Sequence, residues 1–146
     1  MKLTVLVDNN TLIDRYFCGE PGVSYLIDCE EAKILFDPSY SDLFIRNARS
    51  MGLDLLEVDY IVLSHGHLDH SWGLARLLRM YTEANLEGRD KKKPTLVAHP
   101  HAFLPRFISG IGQIGVSIDP RRLEGIIDIH LSPEPVWLTK RLVFLG

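Results

Sequence analysis

The sequence predicts a mixed α/β domain, and three observations predict it. Short apolar runs bounded by turn residues recur along the chain, as strands do. Two segments with apolar residues at helical spacing lie between them. The run Tyr60–Leu63 is apolar throughout, the pattern of a strand covered on both faces. Strands and helices interleave, as they must when helices pack on a sheet. With no internal repeat or low-complexity block, one domain over residues 1–146 is expected.

Each element has its own signal. Leu3–Val7 reads as the first strand, ended by Asp8. The polar stretch from Asp8 to Gly22, with Gly19 and Pro21-Gly22, reads as a loop. Val23–Asp28 and Lys33–Phe36 flank the turn Cys29–Ala32 and form a hairpin. Ser41-Asp42 starts a helix that carries Phe44, Ile45, Ala48 and Met51, and Gly52 stops it. A stronger helix follows, with Leu74, Leu77, Leu78 and Tyr81 on one face and Gly88 at its end. Arg89 to Lys93 is a basic turn, read as solvated surface. Leu96–Ala98 is another strand. Asp119-Pro120 opens a short helix closed by Gly125, and Ile126–Leu131, Val136–Leu138 and Leu142–Leu145 read as three closing strands.

Composition narrows the function classes. Hydrophobic residues make up 46% and charged residues 24% of the 146, which excludes wholesale disorder. A formal charge of −3 argues against a nucleic-acid partner held by net positive charge. No apolar run approaches the roughly 18 residues of a membrane helix, and the run after Lys2 is too short for a signal segment. A soluble, cytoplasmic protein is expected. Cys18 and Cys29 are too few and too far apart for redox CxxC chemistry or a cysteine zinc site, and read as free thiols.

One segment stands apart: Ser64-His65-Gly66-His67-Leu68-Asp69-His70-Ser71. Shuffling the composition gives H-x-H-x-D-H in only about 4 in 10,000 sequences. In an extended loop, residues i and i+2 point the same way, so His65 and His67 offer nitrogens to one ion. Gly66 between them permits a backbone shape that a side chain would resist. Asp69 and His70 follow as the chain turns into a helix and serve a second ion. Imidazole with carboxylate suits zinc, with manganese or iron as alternatives. Without a metal, gathering three adjacent imidazoles would be costly.

The same motif, at the end of an apolar strand, resembles the signature of the metallo-β-lactamase superfamily. Ile34-Leu35-Phe36-Asp37 is similar to the segment whose aspartate buttresses the histidine loop in that family, which assigns Asp37 to orienting the ligands from behind. Asp8-Asn9, Gly19-Glu20-Pro21-Gly22-Val23-Ser24, Ser64 to Leu74 and His99-Pro100-His101-Ala102-Phe103 are similar to a subgroup of dihydropterin–ribofuranosylaminobenzene phosphate synthases. Pro38 stands where the family often has Thr, and Pro21 where the subgroup often has His. Both departures touch substrate contacts more than metal binding.

The resemblance implies the N-terminal half of an αββα sandwich, a mixed sheet with helices on one face. It implies a metal-dependent, hydrolase-like enzyme with up to two divalent ions, a metal-activated water oriented by Asp69, and a small phosphate-ester or pterin-like substrate. It also implies ligands from a second half. Counted from the motif alone, His65 with His67 and Asp69 with His70 leave each ion at least one ligand short. The remainder would come from His99, His101 or His130, from a second copy, or from a separate second-half chain. His99 follows a strand end and reads as a substrate contact. His130 reads as a core or edge-strand residue. The rival expectation is a non-catalytic fragment or subunit that keeps the fold.

Overall fold

The computed structural model describes residues 1–12 and 14–146, so Ile13 of the loop expected at 8–22 lies outside the described residues. The main sheet holds six strands in the order β1 (Lys2–Val7), β2 (Ser24–Cys29), β3 (Ala32–Phe36), β4 (Tyr60–Val62), β5 (Thr95–Ala98) and an edge strand at Asp128–Leu131. β1, β2 and β3 are antiparallel, and β2 and β3 form the expected hairpin. From β3 onward the strands run parallel, with Phe36 opposite Val62 and Val97 opposite His130. Parallel neighbours need crossovers, and helices supply them. α1 (Leu43–Ser50) joins β3 to β4; α2 (Leu68–Ser71) and α3 (Leu74–Leu86) join β4 to β5.

Alternation along the strands divides the apolar residues between two faces. Leu26, Leu35, Ile61 and Leu96 face the helices and pack with Phe44, Ala48, Leu74, Leu77 and Tyr81 in the larger core. Ile34, Val62 and Val97 face the other way. That second face is covered in part by a hairpin of two short strands, Val136–Trp137 and Val143–Phe144, which pair only with each other. An apolar groove of about 330 Å³ runs beside it, lined by Ile27, Phe36, Leu138 and Phe144 among others. Leu3, Val5, Trp137 and Leu145 are exposed.

Three expectations change. Of the three closing strands, only Asp128–Leu131 joins the sheet. The segment Ser132-Pro133-Glu134-Pro135 removes two backbone donors and turns the chain out of the ladder. The helix expected from Asp119 is a single 3₁₀ turn, Pro120–Arg122. At α1, Ser41 supplies the cap, its Oγ accepting from Leu43 N at 3.1 Å, whereas Asp42 makes no side-chain cap bond. Both cysteines are free, and no helix of the described residues is long and apolar enough to cross a membrane.

Because β3, β4 and β5 are parallel, the segments leaving their C-terminal ends meet at one rim. Asp37 leaves β3, the histidine loop leaves β4, and His99 leaves β5. Open α/β sheets collect their sites at such a rim.

The helix side contains one polar bond in the core. Tyr81 is fully buried, and its hydroxyl donates to the Leu55 carbonyl at 2.8 Å. Burial pushes the phenol well above its ordinary pKa, so it stays a neutral donor. Tyr81→Phe leaves that carbonyl unpaired and should lower unfolding free energy by about 1–2 kcal/mol, read as a shifted midpoint in urea unfolding.

Candidate metal centre

The motif side chains converge where the chain passes from β4 into α2. His65 Nε2 lies 3.1 Å from His67 Nδ1, and His70 Nε2 lies 3.6 Å from Asp69 Oδ2. The His65 and His70 ring centroids are 4.2 Å apart. One donor atom from each of His65, Asp69 and His70 falls within 4.8 Å of the others, and all three residues are half-buried. Among the described residues no further group of three such donors comes this close.

Close packing fixes the loop. A Cβ on Gly66 would lie 1.9 Å from the Ala102 carbonyl oxygen, so the loop is pressed against the 3₁₀ turn Pro100–Phe103. That close approach is the physical reason a side chain is excluded there. Leu68 N donates to Ile114 O at 2.8 Å, and Ser71 Oγ donates to His67 O at 2.7 Å, tying α2 to its own entry.

Behind the histidines sits Asp37, fully buried. Its Oδ1 accepts from Ser64 N at 2.8 Å; its Oδ2 accepts from Ser64 Oγ at 2.6 Å and faces His70 Nδ1 at 2.8 Å. Burial pushes the Asp37 carboxyl above its ordinary value, while the bonds from Ser64 and His70 work against that rise.

This network assigns the tautomers. Asp37 accepts from His70 Nδ1–H, which leaves His70 Nε2 bare toward Asp69. Ser64 gives its one hydroxyl proton to Asp37, so toward His65 Nδ1, 2.9 Å away, it accepts. His65 Nε2 is then bare as well. Burial, followed by the neighbouring His70 and His67, holds the His65 imidazole below its ordinary pKa and favours the neutral ring that ligates metal. Bare nitrogens and a carboxylate oxygen facing one another in a half-buried cluster repel unless a cation lies among them. The donor set therefore fits a divalent ion of the zinc, manganese or iron type.

Comparisons with known proteins identify the family. The model of the metallo-beta-lactamase superfamily matches residues 19–138. The chain belongs to that superfamily. It is 29% identical over 147 residues to an uncharacterised protein of Methanocaldococcus jannaschii, covering 99% of this chain and 52% of that protein. It is also 29% identical over 112 residues to the 7,8-dihydropterin-6-methyl-4-(beta-D-ribofuranosyl)-aminobenzene-5'-phosphate synthase of the same organism, covering 73% of this chain and 35% of the synthase. Among solved structures it is similar to Tm1679, a metal-dependent hydrolase of the beta-lactamase superfamily, with TM-score 0.71 and 28% identity over 99% of this chain and 47% of the other. The chain spans about half the length of the first of these relatives and of Tm1679.

In this metallo-β-lactamase fold, the residues singled out in the sequence do not all meet. His65, His67, Asp69, His70 and Asp37 form one connected cluster. The close triad cuts across the expected division into two pairs, since it joins His65 to Asp69 and His70. His99, His101 and His130 are not among its donors. His99 Nδ1 accepts from His101 N at 3.0 Å and caps the turn that supports Gly66, which leaves an Nε2–H as its free donor. His130 lies exposed on the edge strand.

Two supports escaped the sequence reading. Ser64 was part of the motif, yet nothing in spacing reveals that its hydroxyl links Asp37 to His65. Glu20 acts at greater distance: its Oε1 accepts from Ser39 Oγ at 2.8 Å and Ser41 N at 3.0 Å. Those bonds pin a strap in which Asp37 and Ser39 both have left-handed backbones, φ 52° and 59°. Gly22 then presses on Asp69, where a Cβ would lie 2.2 Å from the backbone oxygen. The sequence signal was the Gly19–Ser24 stretch, without a role attached.

Removing the hydrogen-bond support should loosen metal without emptying the ligand set. Asp37→Asn and Ser64→Ala should each weaken zinc affinity about 10–100-fold in a competitive chelator titration, and Ser64→Thr should largely retain it. Glu20→Gln should produce a smaller loss in the same direction.

Proposed function

We propose that the chain carries the histidine half of a metal-dependent, hydrolase-like active site, acting on a small substrate with a phosphate-ester or pterin-like group. The observation that supports this best is the convergence of His65, Asp69 and His70 to within 4.8 Å, with Asp37 and Ser64 directing bare nitrogens into the cluster. Those three residues would hold one ion, zinc first with manganese or iron as alternatives, and His67 stands beside them as a further ligand. A bound divalent ion supplies a water of lowered pKa and a Lewis acid for a phosphoryl or carbonyl oxygen. Asp69 would hold the ion with one carboxylate oxygen and could accept a hydrogen bond from a water through the other, orienting it. Asp37 holds the His70 ring, and Ser64 holds the His65 ring. His99 Nε2–H is the donor assigned to an anionic oxygen of the substrate. The dihydropterin synthase relative motivates the pterin-like class, and the fold alone does not select it.

A catalytic zinc takes three protein ligands and an open position, so the triad would serve one ion, with His67 left to a second ion or to support His65. A second ion would need donors from another polypeptide. The partner proposed is a second copy of this chain or a separate second-half chain, seated on the apolar face beside the hairpin. A second reading is a subunit that keeps the fold without turnover, and metal content and activity measured together separate the two.

Metal analysis after supplementation should give one equivalent per chain, and His65→Ala or Asp69→Asn should abolish it. A phosphodiester such as bis(p-nitrophenyl) phosphate should then be hydrolysed, with Asp69→Asn slowing it at least about 100-fold. Stoichiometric metal without turnover on phosphodiester, lactone and pterin substrates selects the non-catalytic reading. No bound metal sinks both the site and the activity. Sedimentation should show a dimer, or a complex once a second-half polypeptide is added, and a stable monomer in both cases removes the partner.

A further inference from the structure

The basic segment most visible in the sequence is already neutralised. Lys92 Nζ pairs with Asp59 Oδ1 at 2.7 Å, Lys93 pairs with Asp128, and Arg89 Nε pairs with Glu87 Oε2 at 2.7 Å. Lys91 lies over the Tyr81 ring, 5.5 Å from its centroid. A different basic site forms from residues far apart in the chain. Arg46 and Arg49 of α1 and Arg76 and Arg79 of α3 line one groove of about 230 Å³. Ile45 and Met80, both buried, contribute apolar side chains to its lining.

Helical spacing makes this groove. Residues three apart on a helix lie one above the other, about 5–6 Å between Cβ atoms. α1 and α3 are both crossovers between parallel strands, so they run the same way and present their arginine pairs side by side. Of the four guanidiniums, Arg79 is paired, its Nε 2.7 Å from Glu83 Oε1. Among the described residues no carboxylate lies within ion-pair distance of Arg46, Arg49 or Arg76. Counting both carboxylates that line the groove, Asp42 and Glu83, two positive charges remain, in a chain whose formal net charge is −3. The unpaired guanidiniums gathered in one groove repel one another, and an anion between them removes that cost.

We propose that this groove is an anion site separate from the metal centre, taking a compact diphosphate group. Guanidinium forks match phosphate oxygens two at a time, and the three left unpaired, Arg46, Arg49 and Arg76, offer more donors than a single small anion needs. The basic stretch is only about one helical turn long, roughly 5 Å. Asp42, before the first residue of α1, and Glu83, a turn beyond Arg79 on α3, bound it at its two ends. A long polyanion would have to pass those carboxylates, whereas a diphosphate fits between them. The sequence conceals the site because net charge is negative and the four arginines stand in two separate helices.

The test is titration of the full chain with inorganic diphosphate, followed by calorimetry and by amide chemical shifts. One diphosphate should bind per chain, with shifts at α1 and α3, and affinity should fall as salt rises. Arg49→Gln and Arg76→Gln should each weaken binding about tenfold, and Arg76→Lys less, because it keeps the charge but loses the fork. Lys92→Gln should leave it unchanged. These arginines are exposed, so the variants should fold as the parent does, checked by their circular dichroism. The proposal is overturned by no binding, by binding indifferent to the arginine variants, or by shifts confined to the His65–His70 loop. It is equally overturned if only phosphatidic acid vesicles or an RNA oligonucleotide bind.

Discussion

The site depends on one buried carboxylate. Asp37 has no solvent exposure, and its three hydrogen bonds reach the loop that leaves β4 from behind. A carboxylate costs free energy to bury unless its oxygens are satisfied. Here the bonds that satisfy it are the same bonds that set two histidine rings. Solvating Asp37 and orienting His65 and His70 are therefore one interaction, and neither can be altered without the other.

That arrangement demands an unusual backbone. Asp37 must turn its carboxylate back under the neighbouring strand, and it does so with a left-handed φ, repeated at Ser39. Such conformations cost roughly 1–3 kcal/mol each and persist where surroundings over-determine them. The surroundings are specific. Glu20 fastens Ser39 and Ser41, Gly73 N donates to Ser39 O at 3.0 Å, and Gly22 closes against Asp69. The polar loop before β2 thus belongs to the metal centre, although it contributes no ligand to it.

Much of this was legible from residues, and the limits have physical causes. Period-2 and period-3.6 patterns located the hairpin, α1, α3 and the parallel strands, because burial on one face is written into spacing. The histidine motif was legible because ligand types at short spacing are rare by chance. Near the C-terminus the strands themselves were legible but their partners were not, because apolar character was equal where pairing differed. Val136–Leu138 looks like Leu96–Ala98, yet Pro133 and Pro135 send it to the opposite face. The i,i+2 argument does bring His65 to His67, 3.1 Å apart, but the approach of Asp69 and His70 to His65 is not encoded in spacing, because both already lie in α2. The bond of Glu20 to Ser39, and the meeting of Arg46 and Arg76 in the lining of one groove, join residues whose separation no local period encodes.

The two faces of the sheet have different consequences for function. The helix face is closed by its own residues, with Phe44, Leu74 and Tyr81 fully buried, so it can hold the β3, β4 and β5 termini rigid. Rigidity there is what lets loops at the rim keep ligand geometry to fractions of an ångström. The opposite face carries a smaller core and a two-stranded hairpin, and it leaves Leu3, Val5 and Trp137 in solvent. A β-sheet with one completed face is enough to build the histidine loop, because the bonds to the Asp37 carboxylate come from Ser64 in the loop after β4 and from His70 in α2. Ligand orientation is thus local to this chain and follows from the bonds that satisfy Asp37.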